Sequence, residues 1–357
     1  MEYYNNQNGL KYELQKRCKG DAPFGENRKE FPDTSDDRLE RFHFVEEKMN
    51  KEHHPLVNLG AAVAGDGLLT DHGVNHVQSV IQHANDIISD VKQLTGYEIY
   101  LLLLSIHFHD VGNIYGRYEH EQKIEGIIND LGKELPLDIP EKQFINDIAT
   151  AHGGYCDGDK DTIRHIGSDQ KYGNVDVRPK MLAAILRFAD EISDDLGRAK
   201  FDFRIPKANE VFHEYSKALL PVSIEGSTIL LHYQIPYELT QRKVGKGSKE
   251  TYLYDEILSR IAKCMRELEY CRKYACGLIK VSSLSVKIEI IQNGTFRPMK
   301  KVGDSFRLTL QGYPEEREYL LESYMEKIDD MSGTIKELKY KDGNDLKREV
   351  ISKGAVS

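Results

Sequence analysis

Long apolar runs are missing from this chain of 357 residues. The longest, Ile99 to Ile106 (IYLLLLSI), falls far short of the ~20 residues a membrane helix needs and reads as a buried helix. The opening stretch, MEYYNNQNGLKYELQKRCKG, lacks the apolar core of a secretory signal. Cysteine is sparse: Cys18, Cys156, Cys264, Cys271 and Cys276 form no CxxC pair and no zinc-finger spacing. Reduced thiols in a cytoplasmic protein are therefore the expectation. An excess of positive charge is absent too, with 58 acidic against 49 basic residues and a net charge of −9. That balance argues against non-specific binding to duplex nucleic acid, which depends on neutralising phosphates. Small anionic substrates stay open, because a local metal or basic pocket overrides the net field. A P-loop is also lacking: KVGKGSKE at 243–250 does not match GxxxxGK[ST] and reads as a flexible loop.

With 39% hydrophobic and 30% charged residues, the chain has the composition of a globular protein of one large and one smaller domain. The polar, Pro- and Gly-broken residues 1–35 predict an arm, and apolar spacing predicts a first helix over 36–51. HHPLVNLGAAVAGDGLL reads as irregular. Thr70 and Asp71 are good cap types ahead of an amphipathic helix over 74–94, and a second apolar helix spans 97–109. Further helices are expected at 119–132, 141–152 and 179–195, the last apolar around most of its circumference. Residues 36–200 therefore read as all-helical. After Ala199 the pattern changes. Val222–Ile224 and Ile229–Ile235 predict a hairpin around Gly226-Ser227, a helix covers 252–274, and Leu284–Ile291 and Phe306–Gln311 predict two more strands. The expected fold is mainly α: a helical domain over 36–200, a smaller α+β module over 201–314, and a charged helix with a frayed tail over 315–357.

Four points in the helical half carry metal-ligand residue types. His76 follows His72 by four residues, a spacing that puts two imidazoles on one helical face. The stretch HFHDVGN places His109 beside Asp110. Adjacent helical residues diverge by about 100°, so both reach one ion only where the helix ends, and Gly112 fits such an ending. Asp190, in LRFADEISDD, is an acid in an otherwise apolar helix and needs a partner, of which a metal ion is the most efficient. Two imidazoles and two carboxylates suit a divalent ion such as Mn, Fe, Co, Ni, Mg or Zn, and the lack of thiolates argues against structural zinc. Such an ion lowers the pKa of its water and shields phosphate charge. His107 points away from His109 along a helix and reads as a packed group. His83 simply continues the face of His76, and His53-His54 lies in the irregular stretch.

The order His76, His109-Asp110, Asp190 resembles that of the HD superfamily of metal-dependent phosphohydrolases, H…HD…D, over roughly residues 70–195. HVQSV is similar to the family's first-ligand helix, HDVGN to its HDxGK/N turn, and LRFADEISD to its last helix. The resemblance implies a helical domain with one or two divalent ions, manganese among them, acting on a nucleotide. In the cyclic-nucleotide phosphodiesterase branch, a histidine four residues before the first ligand protonates the leaving oxygen. HGVNH reproduces that spacing, so His72 is either this acid or a helix-terminal histidine facing solvent. Dinuclear members carry two extra histidines between the HD pair and the last Asp, and mononuclear members use histidines there to contact phosphate. His120 and His152 are open to either duty. Arg117 and Lys123 are candidate phosphate contacts. HDVGNIYGRYEHE has the length of the HDIGHxPFGHxGE block of dNTP triphosphohydrolases, but Asn113 and Tyr118 replace its histidines. Both blocks end in Glu, and Glu121 remains a candidate catalytic residue. The implied activity is hydrolysis of a (deoxy)nucleoside triphosphate. The alternatives are a cyclic or oligomeric nucleotide phosphodiesterase, and a nucleotide sensor that acts through residues 201–357. That module is also a candidate homo-oligomer surface.

Overall fold

A helix forms where the polar composition predicts an arm. Helix α1 (Leu10–Cys18) buries Leu10, Leu14 and Arg17 on one side. Arg17 can be buried because its guanidinium donates to the Glu30 carboxylate at 2.9 Å and to the carbonyls of Val91 and Leu94. Side-chain partners of this kind cannot be read from local sequence, which is why the stretch looked solvent-facing.

The computed structural model describes residues 9–21, 29–32, 37–63, 70–132, 134–194, 196–198, 205–292, 297–310 and 338–354. It divides into two units. The first holds Met1–Asp66, His72–Ser193 and Cys271–Ile279; the second holds Gly67–Asp71, Asp194–Tyr270 and Lys280–Ser357.

In the first unit, α2 (Arg38–Lys48) continues through one π turn, Met49–His53, into α3 (His54–Val63). The stretch HHPLVNLG is therefore helical rather than irregular. Pro55 follows directly on the π turn, where the His54 N–H reaches back to the Met49 carbonyl, and this local widening of the helix accommodates a residue that cannot donate. Helix α4 (Val74–Ile87) ends earlier than predicted, and its N-cap is Gly73 with no side-chain cap, so neither Thr70 nor Asp71 caps it. Helix α5 (Gly96–Phe108) is buried along its whole length, as an all-round apolar helix must be. Its start is fixed by a capping box between Thr95 and Glu98. Residues 119–132 split into a 3-10 turn, His120–Lys123, and α6 (Ile124–Leu131). Helix α7 (Ile139–Thr150) has its own capping box, Asp138 with Glu141. A short hairpin of β1 (Gln170–Tyr172) and β2 (Val175–Val177) interrupts the expected all-helical half. It turns at Gly173, whose positive φ a side chain would resist. Helix α8 (Pro179–Glu191) then packs against α4, α5 and α7.

The second unit contains α9 (Glu210–Ala218), β3 (Ser223–Glu225), β4 (Thr228–Pro236), α10 (Tyr237–Gln241), β5 (Val244–Lys246), β6 (Lys249–Thr251), α11 (Leu253–Tyr274), β7 (Ser283–Ile291), β8 (Pro298–Thr309) and α12 (Gly343–Gly354). The last turn of α11 belongs to the first unit. The main sheet has the order β3-β4-β7-β8, with the predicted β3–β4 hairpin and the β7–β8 pair antiparallel and β4 parallel to β7. Alternate residues of β4 (Ile229, Leu231, Tyr233, Ile235) and β7 (Leu284, Val286, Ile288, Ile290) are buried, and the register aligns the two sets on one face. The fold is thus a helical domain followed by an α+β module. KVGKGSKE is the β5–β6 hairpin, not a loose loop, with Gly247 at positive φ in its turn. The helix expected from Glu315 lies outside the described residues. The tail is not frayed over 343–354: α12 buries Leu346 and Val350, with Asp342 accepting from the Asp345 N–H at its start. Among the described residues, no helix is long and apolar enough to cross a membrane.

Candidate metal centre

The site lies wholly within the first unit. Glu98, fully buried near the start of α5, takes the Arg178 guanidinium at 2.7–2.8 Å, and Arg178 immediately precedes α8. Helices of equal length pinned at their starts end level with one another, since each residue adds ~1.5 Å. The interval from Glu98 to Asp110 equals that from Arg178 to Asp190. The end of α5 therefore brings His109 and Asp110 to the height at which α8 brings Asp190. His76, in the first turn of α4, completes the meeting point.

The geometry there is tight. His76 Nε2 stands 3.0 Å from Asp190 Oδ1, 3.3 Å from His109 Nε2 and 3.5 Å from Asp110 Oδ2. His109 Nε2 is 3.3 Å from Asp110 Oδ2 and 3.7 Å from Asp190 Oδ1. The other carboxylate oxygen of Asp110 faces a second pair of imidazoles: Oδ1 is 3.2 Å from His120 Nε2 and 3.8 Å from His152 Nε2. His76, His109, Asp110, His120 and His152 are all buried, and Asp190 alone is partly exposed. Three sets have ligand atoms within reach of a common ion: His72, His76 and Asp110; His76, His109 and Asp190; Asp110, His120 and His152.

Backbone acceptors fix which nitrogen faces inward. His109 Nδ1 donates to the Ile106 carbonyl at 2.7 Å and His152 Nδ1 to that of Ala149 at 2.6 Å. His120 Nδ1 is held by the Arg117 carbonyl and by Glu121 Oε2, both at 3.2 Å. A carbonyl only accepts, so each Nδ1 carries the proton and each Nε2 is presented to the centre. Buried as it is, His120 Nε2 has no properly oriented hydrogen-bond partner among the described residues.

The charges follow from this enclosure. Burial opposes the charged form of His109, but the carboxylates of Asp110 and Asp190 outweigh it and raise its pKa to about 10. The same contest, with Asp110 and Glu121 as partners, raises His120 to about 9. Burial, reinforced by the charges of His109 and His120, lowers His152 to about 4. Burial disfavours the charged forms of Asp110 and Asp190, yet their histidine neighbours hold both well below the ordinary carboxylate range. In the metal-free chain, protons occupy the space between imidazoles and carboxylates that a cation would fill.

The outer residues hold the inner ones. His72 is not on α4, so its spacing to His76 is not a helical one. It precedes Gly73 and reaches the site by its own backbone, with its N–H donating to Asn58 Oδ1 at 2.8 Å. Its Nδ1 donates to Asp110 Oδ2 at 3.0 Å, and its Nε2 accepts from Arg117 at 3.0 Å. Asn113 donates to Asp110 Oδ1 at 2.8 Å. Asn113 had stood out only as a departure from a family block. Its spacing of one turn from Asp110 was the available signal. Glu121 is set on the outer edge of His120, where the same shift of environment lowers its pKa to about 2. Burial resists that shift, and the His120 hydrogen bond and charge drive it. Lys123 donates to the carbonyls of Tyr115 and Gly116, so it braces the HD loop rather than reaching the centre. Gly112 does not terminate a helix with a left-handed residue. It lies in a 3-10 turn, and a Cβ there would overlap the His120 carbonyl. His107 pairs with His54, not with the centre, and His83 bonds Ser193.

Residues 66–238 match the HD-CE family model. The match is consistent with an HD-type domain over that stretch. No curated protein and no solved structure matches the chain. The buried His/Asp cluster within the matched residues could hold a divalent ion, and its nitrogen and oxygen donors suit hard to borderline metals.

Proposed function

We propose that the protein is a metal-dependent phosphohydrolase acting on a nucleotide, with two divalent ions shared by Asp110. One observation carries this: the two oxygens of a single buried carboxylate face two separate pairs of imidazoles. His76, His109, Asp190 and Asp110 would hold one ion, and Asp110, His120 and His152 the other. The donor set fits, because backbone carbonyls engage the Nδ1 atoms of His109, His120 and His152 and turn their Nε2 atoms to the centre, where a cation would displace the protons held there. Divalent ions bound in such a site acidify water and screen the charge of a phosphate.

The chain's own residues supply the rest. Burial of the ligands lowers the local dielectric and strengthens every charge interaction at the centre. Arg117 is exposed and fixed beside His72, so its guanidinium is the cation placed to take a substrate phosphate. As Arg117 turns to the phosphate, His72 Nε2 is freed to take up a proton from solvent, and the imidazolium so formed, with Nδ1 held by Asp110, would pass that proton to the leaving oxygen. Glu121 orients His120, and Asn113 orients Asp110. The favoured substrate is a nucleoside triphosphate or deoxynucleoside triphosphate. A cyclic or oligomeric nucleotide is the second reading, supported by the contact of His72 with Asp110.

The test is a product screen. Protein stripped of metal and reloaded with manganese, iron or nickel is offered dNTPs, NTPs and cyclic nucleotides. Metal-dependent turnover of at least one is expected, falling to background in Asp110→Ala. Absence of turnover across the panel in metal-loaded protein would contradict the proposal, and ligand-induced stabilisation without turnover would point to a sensor instead.

A further inference from the structure

We propose a second, separate metal site at Cys156, Asp157 and His165, taking a borderline-soft divalent ion of the zinc type. One ligand atom from each residue lies within 4.8 Å of the others. Asp159 Oδ2 lies beside this set, 3.6 Å from His165 Nε2. Thiolate, imidazole and carboxylate together are a donor set for zinc or cobalt rather than magnesium or calcium.

Both halves of the site are built before any ion arrives. Cys156 and Asp159 exchange backbone hydrogen bonds of 2.8 Å each way, closing a two-residue turn. Asp157 and Gly158 within it both have positive φ, 51° and 78°. A non-glycine residue in that region is uncommon and is held there by its surroundings. His165 ends a 3-10 turn, Thr162–His165, whose start is capped by Asp161. That turn is anchored by buried Thr162 and Ile163, with Thr162 Oγ1 donating to the Ala151 carbonyl at 2.8 Å. The side chains that would bind are partly to largely exposed, so an ion can enter and small rotations can close the ligands on it. The site would clip the segment that follows His152 into one conformation. The linear spacing of these residues matches no known thiolate motif, because the turn, not the sequence interval, brings Cys156 and His165 together.

Cobalt reads this site without interference from the HD centre, which contains no sulfur. Titration of the reduced, full-length protein with cobalt should produce a near-ultraviolet thiolate-to-cobalt charge-transfer band whose final intensity corresponds to one thiolate-bound cobalt per chain, whatever further cobalt the HD centre takes up. Cys156→Ser should abolish the band. His165→Ala should weaken its titration by at least about tenfold, as loss of a direct ligand must exceed loss of an outer partner. Asp110→Ala should leave the band intact. A wild-type protein without the band would overturn the proposal. So would a band that survives in Cys156→Ser or disappears in Asp110→Ala.

Discussion

Asn113 holds Asp110 through one hydrogen bond of 2.8 Å to Oδ1, the oxygen that faces His120 and His152. Removing such an outer partner costs about 10–100-fold in metal affinity. Asn113→Ala should show that loss in a chelator competition assay while keeping the fold, and unchanged affinity would mean that Asp110 needs no support. The histidines give a second expectation. His109 and His120 titrate at about 10 and about 9 in the metal-free protein, above the ordinary 6.5. Raised folded values favour the folded state fully below pH ~6.5, and that contribution is lost as pH climbs through 9 to 10. Metal binding requires the neutral rings, so the ion competes with protons and gains as pH rises over the same interval. The gap in melting temperature between metal-loaded and chelator-treated protein should therefore widen from pH 7 to pH 9.5. A constant or shrinking gap would contradict the placement of these protons. The four residues His76, His109, Asp110 and Asp190 were legible because a rare residue type stands in each of four apolar contexts. Asn58 and Asn113 were not, since an asparagine that holds a ligand looks locally like one in any turn.

At the level of elements, the close approach of the HD turn to the His120 segment depends on Gly112. A methyl group there meets a backbone carbonyl, which cannot rotate away as a side chain could. Gly112→Ala should destabilise the protein by about 1–3 kcal/mol in urea unfolding, the usual cost of overpacking. It should also reduce metal content, because His120 moves with the carbonyl. A variant as stable and as metal-rich as the parent would show that the two segments can separate freely. Periodicity made α4 and the β4 and β7 strands readable, because each buries one regular face, and near-continuous apolar composition did the same for α5 and α8. It failed at α1 and α12, where short helices bury few residues and rely on Arg17 pairing or on a cap for the rest. It failed also at α3, which reads as irregular and in fact continues one helical run past a π turn.

For the molecule as a whole, the sequence conveyed the split between a helical half and a sheet-bearing half. The composition changes from 3.6-residue to two-residue periodicity after Ala199, and that change is physical before it is structural. What no local pattern conveyed is that Asp110 faces histidines on both sides, since this depends on how α4, α5, α7 and the His120 turn meet in space. The most direct measurement is therefore divalent metal per chain, by elemental analysis, in the wild-type protein and in Asp110→Ala. A shared carboxylate requires the variant to lose two ions per chain relative to wild type. Equal metal content in the two proteins, or none in either after metal loading, would contradict a metal centre built on Asp110.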